Sequence, residues 1–265
     1  RALEEDIGHG DITTDNLIAE DQEARGIFLA KSTGTLAGIE VCRAVFAYLD
    51  PHTEFTIYKQ DGSLIVPGDN LAEVKGKARV LLTGERVALN FLQRLSGIAS
   101  RTRQMVNMVR DNHVQIVDTR KTTPGLRTLE KYAVTQGGGR NHRFGLYDGV
   151  MIKDNHIKAA GGITPAVSQI RNKIPHTIKI EVEVEYLEQL QEALNAGADI
   201  IMLDNMDIET MKEAVALVNG QALLEASGGI NETTLTEVAQ TGVDFISIGA
   251  LTHSITSLDI SFNII

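Results

Sequence analysis

A strand-like run that ends in two adjacent cations is the first chemical signal in this chain. Val114, Ile116 and Val117 supply the apolar positions of HVQIVDT, and Asp118, Arg120 and Lys121 follow at once. Arginine offers a planar fork that suits carboxylate or phosphate, and lysine a mobile point charge. The pattern recurs. Lys153, Asp154 and Asn155 end a second run, Glu181 and Glu183 lie in a third, and Asp204 with Asn205 ends a fourth. Glu225, Ser227, Gly228 and Gly229 close a fifth, and Ser247 with Gly249 a sixth. A purely structural core has no need of polar groups at six strand ends. In parallel β/α folds those ends converge on the face where catalysis occurs.

The charges are also segregated. Residues 120–158 hold eight Lys/Arg against three Asp/Glu, a net of +5, while the rest of the chain nets −15. A basic pocket in an acidic protein, formal net charge −10, points to a small polyanionic ligand, because a cleft focuses field without making the whole surface sticky. Arg120, Arg143 and Lys153 suit its carboxylates or phosphates. Arg127 and Lys131, four residues apart beside Glu130, fit equally well a solvated helix face or ion-pair partners.

Glu181 and Glu183 share one face of their strand, since alternate residues point the same way. Neighbouring carboxylates repel, so a cation or ligand hydroxyls are expected near them, with Asp204 at the end of the next strand. A magnesium ion shared with a phosphorylated substrate or hydrogen bonds to a ribose would both use such acids. Ion pairs with Lys179 or Lys153 are the alternative. The glycine-rich ends SGG (227–229) and SIGA (247–250) can present backbone N–H groups to phosphate, although glycine also simply permits tight turns. Gly137–Gly139 reads as a loop or helix stop. The chain lacks a Walker-type loop, a dinucleotide fingerprint, HExxH and a Gly-x-Ser-x-Gly elbow. His142 and His156 have no metal-ligand spacing, which favours anion contact or ordinary hydrogen bonding over zinc.

The elements that must position these groups alternate from residue 113 onward. Runs at 113–119, 147–155, 176–185, 198–205, 222–229 and 243–249 are β-rich, and the later ones are separated by helical stretches that close on glycine. This repeat of about 22 residues predicts a parallel sheet, most simply a (β/α) barrel that is incomplete or seven-stranded. The first hundred residues predict a smaller α/β domain, with strands such as GIFLAKSTG and EFTIYKQDG and a long helix beginning near Gly84. The tail SLDISFNII alternates like a strand and can pair with either domain. The expected boundaries are 1–105 and 106–257, with 258–265 returning to pack on the first domain.

With 265 residues and 43% hydrophobic content, the chain can bury a substantial core. Its acidity argues against nucleic acid or an anionic membrane as partner. A single cysteine, Cys42, rules out an intramolecular disulfide or a Cys-based metal cluster and suits a reducing compartment. No stretch approaches the roughly 18 apolar residues of a membrane helix. A cytoplasmic enzyme is expected, and a short piece is expected to precede Arg1.

The motifs ERVALNFLQRLSGIAS, DTRKTTPGLRTLEKYAV, GGGRNHRFGLYDGVMIKDNHI, EVEVE, IMLDNM, LEASGGI and ISIGALTHS, in that order, resemble quinolinate phosphoribosyltransferase. The likeness runs from EEDIGHGDITTD to the last strand. It implies an α/β fold in which an N-terminal α/β sandwich domain precedes an open seven-stranded barrel, and a homodimer with a shared active site. The implied reaction joins quinolinate to phosphoribosyl pyrophosphate with Mg2+, giving nicotinate mononucleotide, pyrophosphate and CO2 in NAD biosynthesis.

Carried over by position, Arg120, His142, Arg143 and Lys153 resemble the quinolinate-binding group, and Arg86 the arginine contributed by the other subunit. Lys121 corresponds to a lysine beside the reacting centre. Lys121 and Lys153, with Glu183 and Asp204, resemble groups that meet phosphoribosyl pyrophosphate; the two acids serve ribose and metal, the metal through substrate and water, and Glu181 joins them less clearly. Ser227, Gly228, Gly229, Ser247, Gly249 and His253 match the phosphate-side loops. Two other readings keep the pocket: a paralogous, molybdenum-transport-associated transferase on the same scaffold, and a non-catalytic anion-binding protein. Retained Lys121, Glu183 and Asp204 speak against mere anion storage.

Overall fold

The computed structural model describes residues 1–265, which divide into two compact units. One comprises Arg1–Arg103, Gly125–Gly138 and Ile255–Ile265; the other comprises Gln104–Pro124 and Gly139–Ser254. The strands in chain order are β1 (Glu23–Ala30), β2 (Gly34–Thr35), β3 (Glu54–Ile57), β4 (Leu64–Ile65), β5 (Asn70–Lys77), β6 (Gln115–Val117), β7 (Val150–Ile152), β8 (Ile180–Val184), β9 (Ile200–Asp204), β10 (Leu223–Ser227), β11 (Phe245–Ser247) and β12 (Ile260–Ile264).

In the first unit β12, β1, β5 and β3 form an antiparallel sheet in that order. The tail is therefore β12, paired with β1 along Gly26↔Ile264 to Ala30↔Ile260. The helix Ile39–Leu49 buries Ile39, Cys42, Val45 and Phe46, a helical spacing that gives it one apolar face. That face joins a core with Phe28, Phe262, Leu81, Ala88 and Leu92. Phe28 and Phe262 sit with ring centroids 4.8 Å apart, and each fully buried side chain of this size contributes about 1.5–3 kcal/mol. The long helix begins at Ala78 and runs to Met108, earlier than Gly84 suggested. Gly84 lies inside it because a Cβ there would come within 2.9 Å of Leu49 and 3.0 Å of Phe46. Glycine marks close helix packing here, not a helix start.

In the second unit the six runs read from the sequence each supply one strand of a parallel sheet, in the order β6-β11-β10-β9-β8-β7. The first and second strands of the series thus stand at opposite edges, so the ladder is open between them. Arg140 adds an isolated parallel bridge to Val117 at β6. Parallel neighbours place Ser227 beside Asp204 and Glu225 beside Met202, which brings the strand ends to a common level.

No helix is long and apolar enough to cross a membrane.

Candidate active site

A cavity of about 720 Å³ opens at the C-terminal ends of the parallel strands. The two-residue period of a strand explains its lining. Met151 and Lys153, Met202 and Asp204, Glu225 and Ser227, and Ser247 and Gly249 are pairs spaced by two, and every member lines the cavity. Arg120, Lys121, His142 and Arg143 join them, as do Glu183, Gly228, Gly229 and His253. Arg86 is exposed on the helix Ala78–Met108 and is not among the lining residues.

Burial grades across the site. Glu181, Glu225 and Ser247 are buried, His142, Arg143, Lys153 and Glu183 are half-buried, and Arg120 and Lys121 are exposed. Acids therefore occupy the floor and cations the rim.

The segment after β6 is set by Asp118, fully buried, whose carboxylate accepts the backbone N–H of His142 at 2.9 Å. The Asp118 N–H in turn donates to the Arg140 carbonyl at 3.1 Å. This cross-connection carries His142 and Arg143 to the cavity. The Arg143 guanidinium donates to the Gly149 carbonyl at 3.2 Å and meets Met151 Sδ at 3.6 Å. Burial, and then the like charge of Arg120, lower the pKa of Arg143, while Glu181 and Asp148 act the other way. Two guanidiniums that repel one another at a cavity form a site that an anion relieves.

Both ring nitrogens of His142 are engaged within the protein. Nδ1 accepts the Arg143 backbone N–H at 2.6 Å, and Nε2 lies 3.1 Å from Glu181 Oε2 and 3.5 Å from Glu225 Oε2. Burial, then the charge of Glu181, push the Glu225 carboxyl up to about 7, with His142 opposing.

Lys153 forms an ion pair with Glu183, so the pairing considered as an alternative use of that acid is present within the cavity. The Lys153 N–H donates to His156 Nδ1 at 3.0 Å, which caps the helix Asp154–Ala160. His156 thus does ordinary hydrogen-bonding work.

Asp204 is held by Asn205, whose side-chain amide donates to Asp204 Oδ2 at 2.9 Å. Asn205 itself adopts φ 55° and donates its N–H to the Ser227 carbonyl at 2.9 Å. Gly228 has φ +98°, and a Cβ there would meet Asn205 Oδ1 at 2.1 Å; glycine is required twice over, by conformation and by space. At Gly249, where φ is −63°, a Cβ would meet only side chains, Lys121 Cδ at 2.9 Å and His253 at 3.2 Å, so the lysine could shift to make room. The Thr252 hydroxyl donates to the Lys121 carbonyl at 2.7 Å, fixing the backbone that carries the lysine.

Arg127 and Lys131 belong to the helix Arg127–Gln136 and do not line the cavity. Lys131 is fully buried, not part of a solvated face, and the adjacent Glu130 pairs with Arg94 at 2.6 Å. Gly137 caps that helix. The sequence marks Glu225, Asn205 and Asp118 only as polar residues at strand ends; their contacts with His142 and Asp204 come from the fold.

Comparison with known proteins agrees along the whole chain. The family model "Quinolinate phosphoribosyl transferase, N-terminal domain" matches residues 11–96, and "Quinolinate phosphoribosyl transferase, C-terminal domain" matches residues 98–263. A Bacillus subtilis protein named probable nicotinate-nucleotide pyrophosphorylase (carboxylating) is 50% identical over 260 residues, covering 98% of this chain and 90% of its own. A mitochondrial quinolinate phosphoribosyltransferase (decarboxylating) of Nicotiana tabacum is 43% identical over 284 residues, covering 99% and 80%. The crystal structure of NadC from Streptococcus pyogenes superposes with a TM-score of 0.95 at 45% identity, over 99% of this chain and 93% of that one.

Proposed function

The chain belongs to the quinolinate phosphoribosyl transferase family, and from that premise we propose how its cavity carries out the family's chemistry. The enzyme transfers the phosphoribosyl group of phosphoribosyl pyrophosphate to quinolinate with decarboxylation, giving nicotinate mononucleotide, pyrophosphate and CO2 for NAD biosynthesis. The observation that carries the assignment of the site is the pairing of Arg120 with Arg143, two like charges at one cavity with Lys153 close by. Quinolinate has two adjacent carboxylates, and a dianion is what such a pair accommodates best.

In this reading Arg120 and Arg143 clamp the substrate carboxylates at the rim. His142, its nitrogens committed to Arg143, Glu181 and Glu225, forms the wall that aims Arg143. The glycine turns at 228–229 and 249 and the Ser227 and Ser247 hydroxyls receive the phosphates, with His253 beside them. Glu183 and Asp204 face the ribose, where their charge favours the positive character that develops at the anomeric carbon as pyrophosphate departs. The pyridine nitrogen attacks that carbon and becomes cationic. The C–C bond to the adjacent carboxylate then breaks, CO2 leaves, and the electron pair left on the ring carbon is stabilised by the neighbouring cationic nitrogen. A proton completes the product, and Lys121, which lines the cavity, is its proposed donor.

Mg2+ fits this donor set: Glu183 and Asp204 supply hard carboxylate oxygens at a phosphate site, with Lys153 offsetting the charge of Glu183. Those two acids would hold the ion through substrate and water. When bound, Mg2+ supplies neutralisation of the departing pyrophosphate.

Arg86, exposed on its helix, is read as reaching the quinolinate site of a second copy, making the enzyme a homodimer with shared active sites. A cytoplasmic location belongs to the same reading, supported by the single, buried, free Cys42.

The test is a product assay with phosphoribosyl pyrophosphate and Mg2+, offering quinolinate or nicotinate. Nicotinate mononucleotide and stoichiometric labelled CO2 from quinolinate alone are expected. A folded protein that makes no product from quinolinate would overturn the substrate assignment and favour a paralogous transferase or an anion-binding protein.

A further inference from the structure

His142 presents a single N–H to two buried carboxylates. Its Nδ1 accepts the Arg143 backbone N–H at 2.6 Å, so the lone pair there is used and the ring proton resides on Nε2. Nε2 faces Glu181 Oε2 at 3.1 Å and Glu225 Oε2 at 3.5 Å. Glu181 is 4% exposed and Glu225 3%. Two ionised carboxylates on one neutral imidazole, out of water, would leave two uncompensated buried charges close together, an arrangement proteins avoid by protonating one member.

The surroundings decide which member. The charge of Glu181 supports the ionised Arg143 guanidinium, so Glu181 has a cation to answer. Glu225, on β10, stands level with Met202 and Glu183 and so nearer the strand ends than Glu181, and its Oε1 atom, like the Ser247 hydroxyl on β11, is buried with no hydrogen-bond partner. The groups that face Glu225 are Glu181 on β8, His142 from the segment after β6, Ser247, and more weakly Lys153 at the end of β7; Asp204 lies further up the neighbouring strand β9.

We propose that Glu225 carries its proton in the working enzyme and is a positioning residue. Together with Glu181 it holds His142 in its Nε2–H form and keeps the cavity floor from opposing a dianionic substrate. The inference rests on the reading that quinolinate binds at Arg120 and Arg143. His142, Glu181 and Glu225 also have the spacing of a cation site, their ligand atoms lying within 4.8 Å of one another. A ring whose Nδ1 already accepts an N–H has no Nε2 lone pair to give a metal, so the cluster holds a proton instead.

The consequence is a pH dependence with a defined sign. Burial holds the Glu225 carboxyl near pH 7, and above that pH a second negative charge appears beneath the bound dianion. The KM for quinolinate is expected to rise roughly tenfold as pH increases through this range. Glu225→Gln keeps the shape and a hydrogen-bonding amide but cannot ionise, so its KM should vary by no more than about twofold over the same interval. Glu225→Ala removes the contact and should raise KM at every pH.

Infrared difference spectra of the parent enzyme against Glu225→Gln, without substrate, read the proton directly. A protonated carboxylic acid band in the parent that titrates near neutrality and is missing from the variant is expected. Identical bands in both proteins, or an equally steep KM rise in Glu225→Gln, would overturn the proposal. If the variant does not fold, titrating the parent band decides: no protonated carboxylic acid at neutral pH overturns it. Arg120→Ala, assayed for quinolinate KM at one pH, separately tests the pocket reading, since an unchanged KM would sink that reading without touching the infrared result.

Discussion

Lys153, at the end of β7, and Glu183, in β8, form an ion pair inside the cavity. The pair links the cationic rim to the acidic floor. Glu183→Gln removes this charge partner of Lys153 and one of the two acids read as facing the ribose. A fall in kcat of about a hundredfold or more is expected. Steady-state kinetics with each substrate varied in turn would check it, with kcat falling more than the KM for quinolinate rises.

Gly228→Ala forces a side chain onto a backbone at φ +98° and into Asn205 Oδ1 at 2.1 Å. Strain of about 1–3 kcal/mol is expected, visible as a lower denaturation midpoint in urea. Because Asn205 holds Asp204, the KM for phosphoribosyl pyrophosphate should rise more than that for quinolinate.

Glu225 gives stability its own pH dependence. Its carboxyl is raised from an ordinary value of 4.5 to about 7 in the fold, so the folded state binds that proton more tightly than the unfolded chain. The contribution is fully present below about pH 4.5 and is lost as pH rises to about 7, for a total on the order of 3 kcal/mol. Glu225→Gln should flatten this part of the curve, so that the variant gains on the parent between pH 5 and 8. Urea denaturation across that range would measure it, and an unchanged slope would contradict the protonated-floor account.

The shared site predicts complementation between two inactive proteins. Arg86→Ala and Lys121→Ala, each nearly inactive alone, should recover roughly a quarter of parental activity when mixed and allowed to exchange subunits, because half the dimers then hold one intact site. Demonstrated exchange without recovery would contradict the assignment of Arg86 to a partner.

The strands themselves and their polar ends were legible because a parallel repeat leaves a periodic trace: each of the six β-rich runs became a strand, and Lys153, Asp204, Ser227 and Ser247 faced the cavity together. Features that depend on burial were not. Glu225 looked like one more strand-end acid until its contact with His142 placed it on a dry floor. Lys131 read as either a solvated or an ion-paired helix position, because helix spacing with Glu130 says nothing of what covers it; it is fully buried. Gly84 read as a boundary, since low helix propensity and close helix packing both select glycine. Asp118 stood out as a strand-end acid, but its role did not, because its partner His142 lies 24 residues away.

The central claim is that Arg120 and Arg143 bind the quinolinate dianion, and the most direct measurement is the KM for each substrate in Arg120→Ala. The account predicts a rise of about a hundredfold for quinolinate, the loss of one charge-assisted fork, with the KM for phosphoribosyl pyrophosphate moving by no more than about threefold. An unchanged KM for quinolinate, or an equal rise for both substrates, would contradict it.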